Sequence, residues 1–543
     1  MNLNRIFSLV ATLLLVGNSL NAQMNIPPGV DFSTYLQSDY DKLNPELFAN
    51  DITADDLKSY LSILASDEYQ GRETGTPGND KAADYIREKL KSFGIPPAQG
   101  TNDYLQPIQF NWTAWNKTEM TFNEQSYRHG WDFIAYPGRN ENLEIPYVNE
   151  IIFLGYGIDS EGYSDYNEVD VTGKIIAVLK DEPVTIDGKS KLTADGSLSE
   201  WSTDWKKKVQ TAKTKGAKAI LIIDNELQKR AGSTRNQWFG RQVTLGEQAD
   251  FSALCNNVYI SSGFAKEIFG KYYKKVIKAR KKIQRKGKSI PITIPTEFSI
   301  ALDKKASTLK GNNVLGFIEG TDPKLKDEIV VVSAHYDHLG MRGKDIYNGA
   351  DDNGSGTSTV LEVAQSFAKA KEAGVGPRRS VLCIWVTGEE KGLLGSEYYT
   401  KLPIFPLENT IVDINVDMVG RVDKKYEENP EYIYVIGSDR LSTELHAINE
   451  GVNDRFTELT LDYTYNSESD PNRYYYRSDH YNFAQNGIAA IFYFNGTHKD
   501  YHRTTDTVDK IQFDKMAKIG KLVFYTAWEL TNRDKRIEVD VKQ

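Results

Sequence analysis

The sequence predicts an α/β fold with a mixed, mostly parallel central sheet flanked by helices. Two observations lead to it. Three short apolar runs, Glu328 to Ser333 (EIVVVS), Ser380 to Thr387 (SVLCIWVT) and Thr410 to Val416 (TIVDINV), read as buried strands. Between the first and the second lies a helical pattern with Val360, Leu361, Val363, Ala364, Phe367 and Ala368 on one side.

Each strand ends in a residue that can bind a metal. The first delivers His335 and Asp337, the second Glu389 and Glu390, the third Asp417. In a parallel sheet, residues just past the strand ends meet in one crevice. Asp352 lies in a different setting, the glycine-rich string Gly349 to Gly356 (GADDNGSG) that opens the helix. Glycine beside the acid lets the backbone pass close to a metal. Taken alone, this segment reads equally well as a solvated helix cap, because the helix dipole favours an acid there. His502 completes the set. Structural zinc sites take their ligands from one short hairpin, so residues this far apart must converge through the fold.

Two imidazoles, three carboxylates and a spare glutamate suggest a two-metal hydrolase. One carboxylate must then lie between the ions. A second, outside the ligand set, can take a proton and pass it on, which suits one member of the Glu389-Glu390 pair. Asp337 is placed to accept the other ring N–H of His335, and Asp506 to do the same for His502. An ordinary loop carboxylate is the alternative for Asp337. His129 and His446 read as surface or satisfied core residues. His338 and His480 lie near the motifs and read as structural groups able to shape the pocket.

The strings Ser333 to Gly340 (SAHYDHLG), Asn348 to Gly356 (NGADDNGSG), Gly388 to Ser396 (GEEKGLLGS), Asn415 to Gly420 (NVDMVG), Arg477 to Phe483 (RSDHYNF) and Tyr501 to Thr507 (YHRTTDT) together resemble the co-catalytic dizinc exopeptidases. That family includes secreted bacterial leucyl aminopeptidases, glutamate carboxypeptidase II and the transferrin receptor. The resemblance implies two zinc ions per chain, with Asp352 bridging, Glu390 and His502 completing one site, and His335 with Asp417 the other. It also implies Glu389 as general base and acid, a cis peptide after Asp352, and Tyr475, in the run Tyr474-Tyr475-Tyr476, as a helper of the oxyanion. Tyr475 reads equally well as a packing group.

The likeness extends to residues 52–95, which are similar to the family's opening helices. Within 150–295, Phe153 to Ile158 (FLGYGI) and Val169 to Lys180 (VDVTGKIIAVLK) resemble a β-rich protease-associated domain, often inserted in these enzymes. Such a domain usually flanks the cleft and carries no catalytic group. The expected organisation is a signal peptide at 1–22, an N-terminal segment at 23–50, and a catalytic domain in two parts, 51–149 and 296–543, around that insert.

The whole chain is compatible with this. Its 543 residues exceed one ordinary core, so two domains are expected. Met1 to Ala22 has Arg5 in a short polar head, an apolar stretch from Ile6 to Gly17, and a small residue, Ala22, at its end, the pattern of a cleaved export signal. No later segment is apolar enough to cross a membrane. Cys255 and Cys383 fall in different expected domains, so no disulfide framework is expected. A net charge of -9 points away from nucleic acid. The basic run Lys271 to Lys288 reads as the solvated face of an amphipathic helix.

The expected function is an exported zinc aminopeptidase acting on peptides with a free amino terminus. A carboxypeptidase or dipeptidase survives as an alternative, because Arg421, Arg473, Arg477 and Arg503 lie near the motifs. A one-zinc glutaminyl cyclase and a non-catalytic receptor are the others. The filled ligand set argues against both.

Overall fold

The computed structural model describes residues 30–98, 101, 103–246, 250–286 and 290–542. The expected signal peptide lies outside them. The described chain divides into two compact units, one of residues up to Gln109 together with Leu309 onward, the other Phe110–Thr308.

The first unit is built on a mixed sheet. Its strands are the end of β1 (Ile292–Ile318), β2 (Ile329–His335), β3 (Ser380–Val386), β4 (Thr410–Val416), β5 (Tyr432–Ile436), β6 (Thr460–Asp462) and β7 (Ala489–Phe494). They lie in the order β6-β5-β7-β4-β2-β3-β1. Strands β3, β2, β4 and β7 run parallel, as do β5 and β6; β1 on β3 and β5 on β7 are antiparallel. The three runs read as strands are thus the centre of the sheet. Every residue of β2, β3 and β4 is buried, which their continuous apolar sequence requires.

Helices α1 (Ala54–Leu64), α2 (Pro77–Ser92), α3 (Gly356–Glu372), α4 (Leu394–Lys401), α5 (Thr443–Phe456) and α6 (Phe513–Asn532) belong to the same unit. The start of α1 is set by Thr53, whose hydroxyl accepts the Asp56 N–H, with Asp55 and Asp56 in the first turn. Pro77 at the head of α2 comes with its backbone angle already helical. Helices α3 and α6 pack through Phe367, whose ring lies 4.9 Å from Phe524 and 5.8 Å from Trp528. Burying one such ring contributes about 1.5–3 kcal/mol, and it orients the helix that begins beside Asp352.

In the second unit, strands Leu143–Phe153, Ile175–Leu179, Ala219–Asp224 and Asn256–Ser261 lie side by side in parallel. The unit extends past 150–295 on both sides because Phe110–Thr113 pair with Gln242–Leu245, and Leu143–Phe153 with residues from Ile292 on. The basic run forms helix Tyr273–Lys286, with Val276, Ala279 and Ile283 buried beneath exposed lysines. Among the described residues no helix is long and apolar enough to cross a membrane.

Candidate metal centre

The ends of β2, β3 and β4 carry His335, Glu389-Glu390 and Asp417, and the loop after β7 carries His502. Asp352 reaches the same place from the turn that opens α3. His335 Nε2 lies 3.3 Å from Asp417 Oδ1, 3.5 Å from Asp352 Oδ1 and 4.0 Å from Glu389 Oε2. On the other side His502 Nε2 is 3.0 Å from Asp352 Oδ2 and 3.4 Å from Glu390 Oε1. The two oxygens of Asp352 therefore face different imidazoles. With one atom counted per residue, His335, Glu389 and Asp417 form one cluster of donors and His338, Asp352 and Glu390 another.

Hydrogen bonds fix the backbone that presents these groups. Asn353 donates to Val416 O at 2.9 Å and accepts from Gly356 N at 2.8 Å and Met418 N at 3.1 Å, joining the Asp352 turn to the end of β4. The Asp352-Asn353 peptide is cis, as the resemblance implies. Ser478 Oγ donates to Asp417 Oδ2 at 2.8 Å. His335 Nδ1 meets the backbone oxygen of Asp337 at 3.1 Å, while the Asp337 carboxylate accepts from Thr74 Oγ1 at 2.9 Å and Glu389 N at 3.2 Å. Asp337 thus orients its histidine through its main chain, and its side chain supports Glu389.

Asp506 is placed differently from the expectation. Its carboxylate accepts from the backbone N–H groups of Asp351, at 3.0 Å, and Asp352, at 3.2 Å, so it props the turn and not the His502 ring. Of the two readings of Tyr475, its surroundings are those of the packing group. It is buried against His480, Tyr481 and Arg440. The cavity beside the acids, open to solvent, is walled by Met418, Tyr474, Arg477, Phe492, Phe494, Thr497 and Tyr501 with Asp352, Glu389, Asp417 and His502. Within a run of three tyrosines the register decides which ring faces the cleft, and that tyrosine is Tyr474.

Two residues at the site, His498 and Arg72, had no role in the sequence reading, and a third, His338, reads there as a structural group. His498 Nε2 lies 3.2 Å from Asp351 Oδ2, behind the turn. Arg72, from the segment before α2, is buried against the same turn. His338 comes within 2.8 Å of Glu390. His338 had a signal, lying three residues after His335 in the same motif, and so had Tyr501 on the cavity wall, which directly precedes His502.

The electrostatics are those of crowded acids. Burial, with Glu390, Asp479 and Asp417 nearby, holds Glu389 well above the usual carboxylate range despite His335. Burial works against a charged His502, yet its bonds to Asp352 and Glu390 raise it to about 10. Buried polar atoms are nearly always hydrogen-bonded. His335 Nε2, Glu390 Oε1 and Asp417 Oδ1 are buried with no such partner. Converging imidazole nitrogens and carboxylate oxygens of this kind fit a divalent cation, and the mixed N/O set suits zinc.

A mostly parallel α/β unit with such a cluster at its strand ends has the groups that metal-dependent hydrolysis requires. Residues 313–527 match the model of peptidase family M28. A "Probable leucine aminopeptidase" of Arthroderma otae is 31% identical over 215 residues, 38% of this chain and 56% of the relative. Aminopeptidase YwaD of Bacillus subtilis is 28% identical over 255 residues, 44% of this chain and 51% of the relative. The chain thus spans about half the length of these curated relatives. Among solved structures, the aminopeptidase from Aneurinibacillus sp. strain AM-1 superposes with a TM-score of 0.56 at 19% identity, covering 92% of this chain and 98% of that one. At that identity the likeness concerns the fold.

Proposed function

We propose that this chain is an exported, zinc-dependent aminopeptidase that releases residues from the free amino end of peptides. The carrying observation is the position of Asp352, with Oδ1 towards His335 and Oδ2 towards His502. Asp352 would join two zinc ions, one held also by Glu390 and His502, the other by His335 and Asp417. When bound, such a pair polarises the scissile carbonyl and lowers the pKa of the attacking water.

The chain's own groups do the rest. Glu389 faces the cavity beside the ligands, so its carboxylate takes the proton of the attacking water and returns it to the leaving amine. Tyr501, whose hydroxyl sits 3.1 Å from Arg477 Nη2, donates to the carbonyl oxygen as charge develops there. Asp352, Glu389 and Asp417 line the cavity that the amino terminus would enter. Met418, Phe492 and Phe494 offer an apolar wall to its side chain. We further read 1–22 as the export signal and the insert as a protease-associated domain.

The test is a panel of free and N-blocked peptides with products identified by mass, alongside metal analysis of the pure protein. Release of the first residue from free peptides only, loss with a chelator, recovery with zinc and two ions per chain are expected. Removal of the last residue would instead favour a carboxypeptidase, for which Arg477 on the cavity wall is the supporting feature. One ion, with a cyclised product, would favour a cyclase.

A further inference from the structure

The resemblance assigns one imidazole to each metal position, but the structure brings a third to the centre. His338 is fully buried, and neither of its ring nitrogens has a hydrogen-bond partner. Its Nδ1 lies 2.8 Å from Glu390 Oε1 and 3.7 Å from Asp352 Oδ2. Those are the two oxygens that His502 Nε2 also faces, at 3.4 Å and 3.0 Å. The short approach to Glu390 lacks the alignment of a hydrogen bond, as expected for two donors that share a cation and do not bond each other.

The ring is held in place by its surroundings. The backbone N–H of His338 donates to Arg72 O at 3.3 Å. Gly349, at φ +57°, packs so closely that a Cβ there would sit 2.4 Å from His338 Cδ2 and 2.2 Å from Asp352 O. Only glycine lets the turn carrying Asp352 lie against this imidazole.

We propose that His338 is a third imidazole ligand of the centre, binding through Nδ1 the ion held by Asp352, Glu390 and His502. This rests on the metal-centre reading above and makes its two positions unequal. Four protein donors close one position, whereas His335, Asp352 and Asp417 leave the other with a place for substrate.

The test compares zinc binding to the wild-type protein, His338→Gln and His338→Ala by competition with a chelator, with thermal melts to confirm folding. Zinc-edge anomalous diffraction from zinc-loaded wild-type crystals needs no variant. Wild type should bind two ions, and one of the two affinities should fall at least about tenfold in both variants while the other holds. Added imidazole should restore it in His338→Ala, and Nδ1 should lie about 2.0–2.1 Å from an ion. Unchanged affinities, or a separation above about 3 Å, would overturn the proposal and leave the dizinc centre standing. A wild-type protein that binds no zinc would overturn the centre itself.

Discussion

Arg72 donates from Nη2 to the carbonyl oxygen of Gly349 at 2.8 Å, just ahead of the aspartate between the metal positions. The same buried guanidinium reaches Tyr336 O at 2.8 Å, beside His335, and Leu64 O and Asn348 O at 2.7 Å and 2.6 Å. One cation thereby ties the chain after the first histidine to the turn before Asp352. Its charge also faces Asp352, Asp506, Asp337 and Glu390, which favour it against the cost of burial.

Arg72→Met should therefore loosen both ligand-bearing segments together. Four carbonyls, three of them buried, would lose this donor, so we expect at least ~3 kcal/mol of lost stability and weaker zinc binding. Arg72→Lys should recover part of it, because an ammonium cannot span the same fork. Denaturant unfolding measures this, and a wild-type midpoint in Arg72→Met would refute the anchoring role.

Glu389→Gln keeps the size of the side chain and the backbone bond to Asp337. It removes the proton carrier without removing a ligand. Turnover should fall roughly 10²–10⁴-fold while both zinc ions remain and KM changes little. Full activity on an aminoacyl anilide would eliminate Glu389 as the base.

The two tyrosines can be separated by removing one hydroxyl at a time. Tyr501→Phe should lower kcat by about 10-fold or more, with zinc content unchanged, because its hydroxyl borders the cavity. Tyr475→Phe should leave kcat near wild type, since that ring is packed among His480 and Tyr481. A reversal of this order would restore Tyr475 to the chemistry.

Glu362, in α3 and away from the metal positions, supplies a pH test of stability. Burial and the nearby Asp56 raise it from 4.5 to about 8. The folded state then keeps a proton that the unfolded chain releases above about 4.5, so its contribution is full below that pH and disappears as pH climbs through 8. Glu362→Gln stays neutral throughout. Melting points measured at about pH 5 and about pH 8.5 should show the variant gaining on wild type at the higher value. A gap that does not move with pH would rule out the buried protonated acid.

The central strands, and the gathering of His335, Asp352, Glu390, Asp417 and His502 in one place, were legible because they depend on local pattern. Continuous apolar runs announce strands covered on both faces, and parallel strand ends necessarily gather their trailing residues. The partner of Asp506, and the choice between the two readings of Tyr475, were not legible for one shared reason. Both stand in loops, where the direction of a side chain depends on the backbone path and not on periodicity. Asp506 turns to the N–H groups of Asp351 and Asp352, and of the tyrosines Tyr474 reaches the cavity.

From its letters alone this chain declared a mostly parallel α/β sheet, a set of acids and imidazoles at its strand ends, and a resemblance to metal-dependent exopeptidases. Only the folded chain decided that the two oxygens of Asp352 look in different directions, that Arg72 and Asp506 hold its turn from behind, and that His338 joins His502 beside Glu390. Those facts arise from contacts between segments far apart in sequence, set by how helices and loops pack on the sheet. Pattern along the chain reports which face a residue takes, whereas distance between remote side chains exists only once the core has closed.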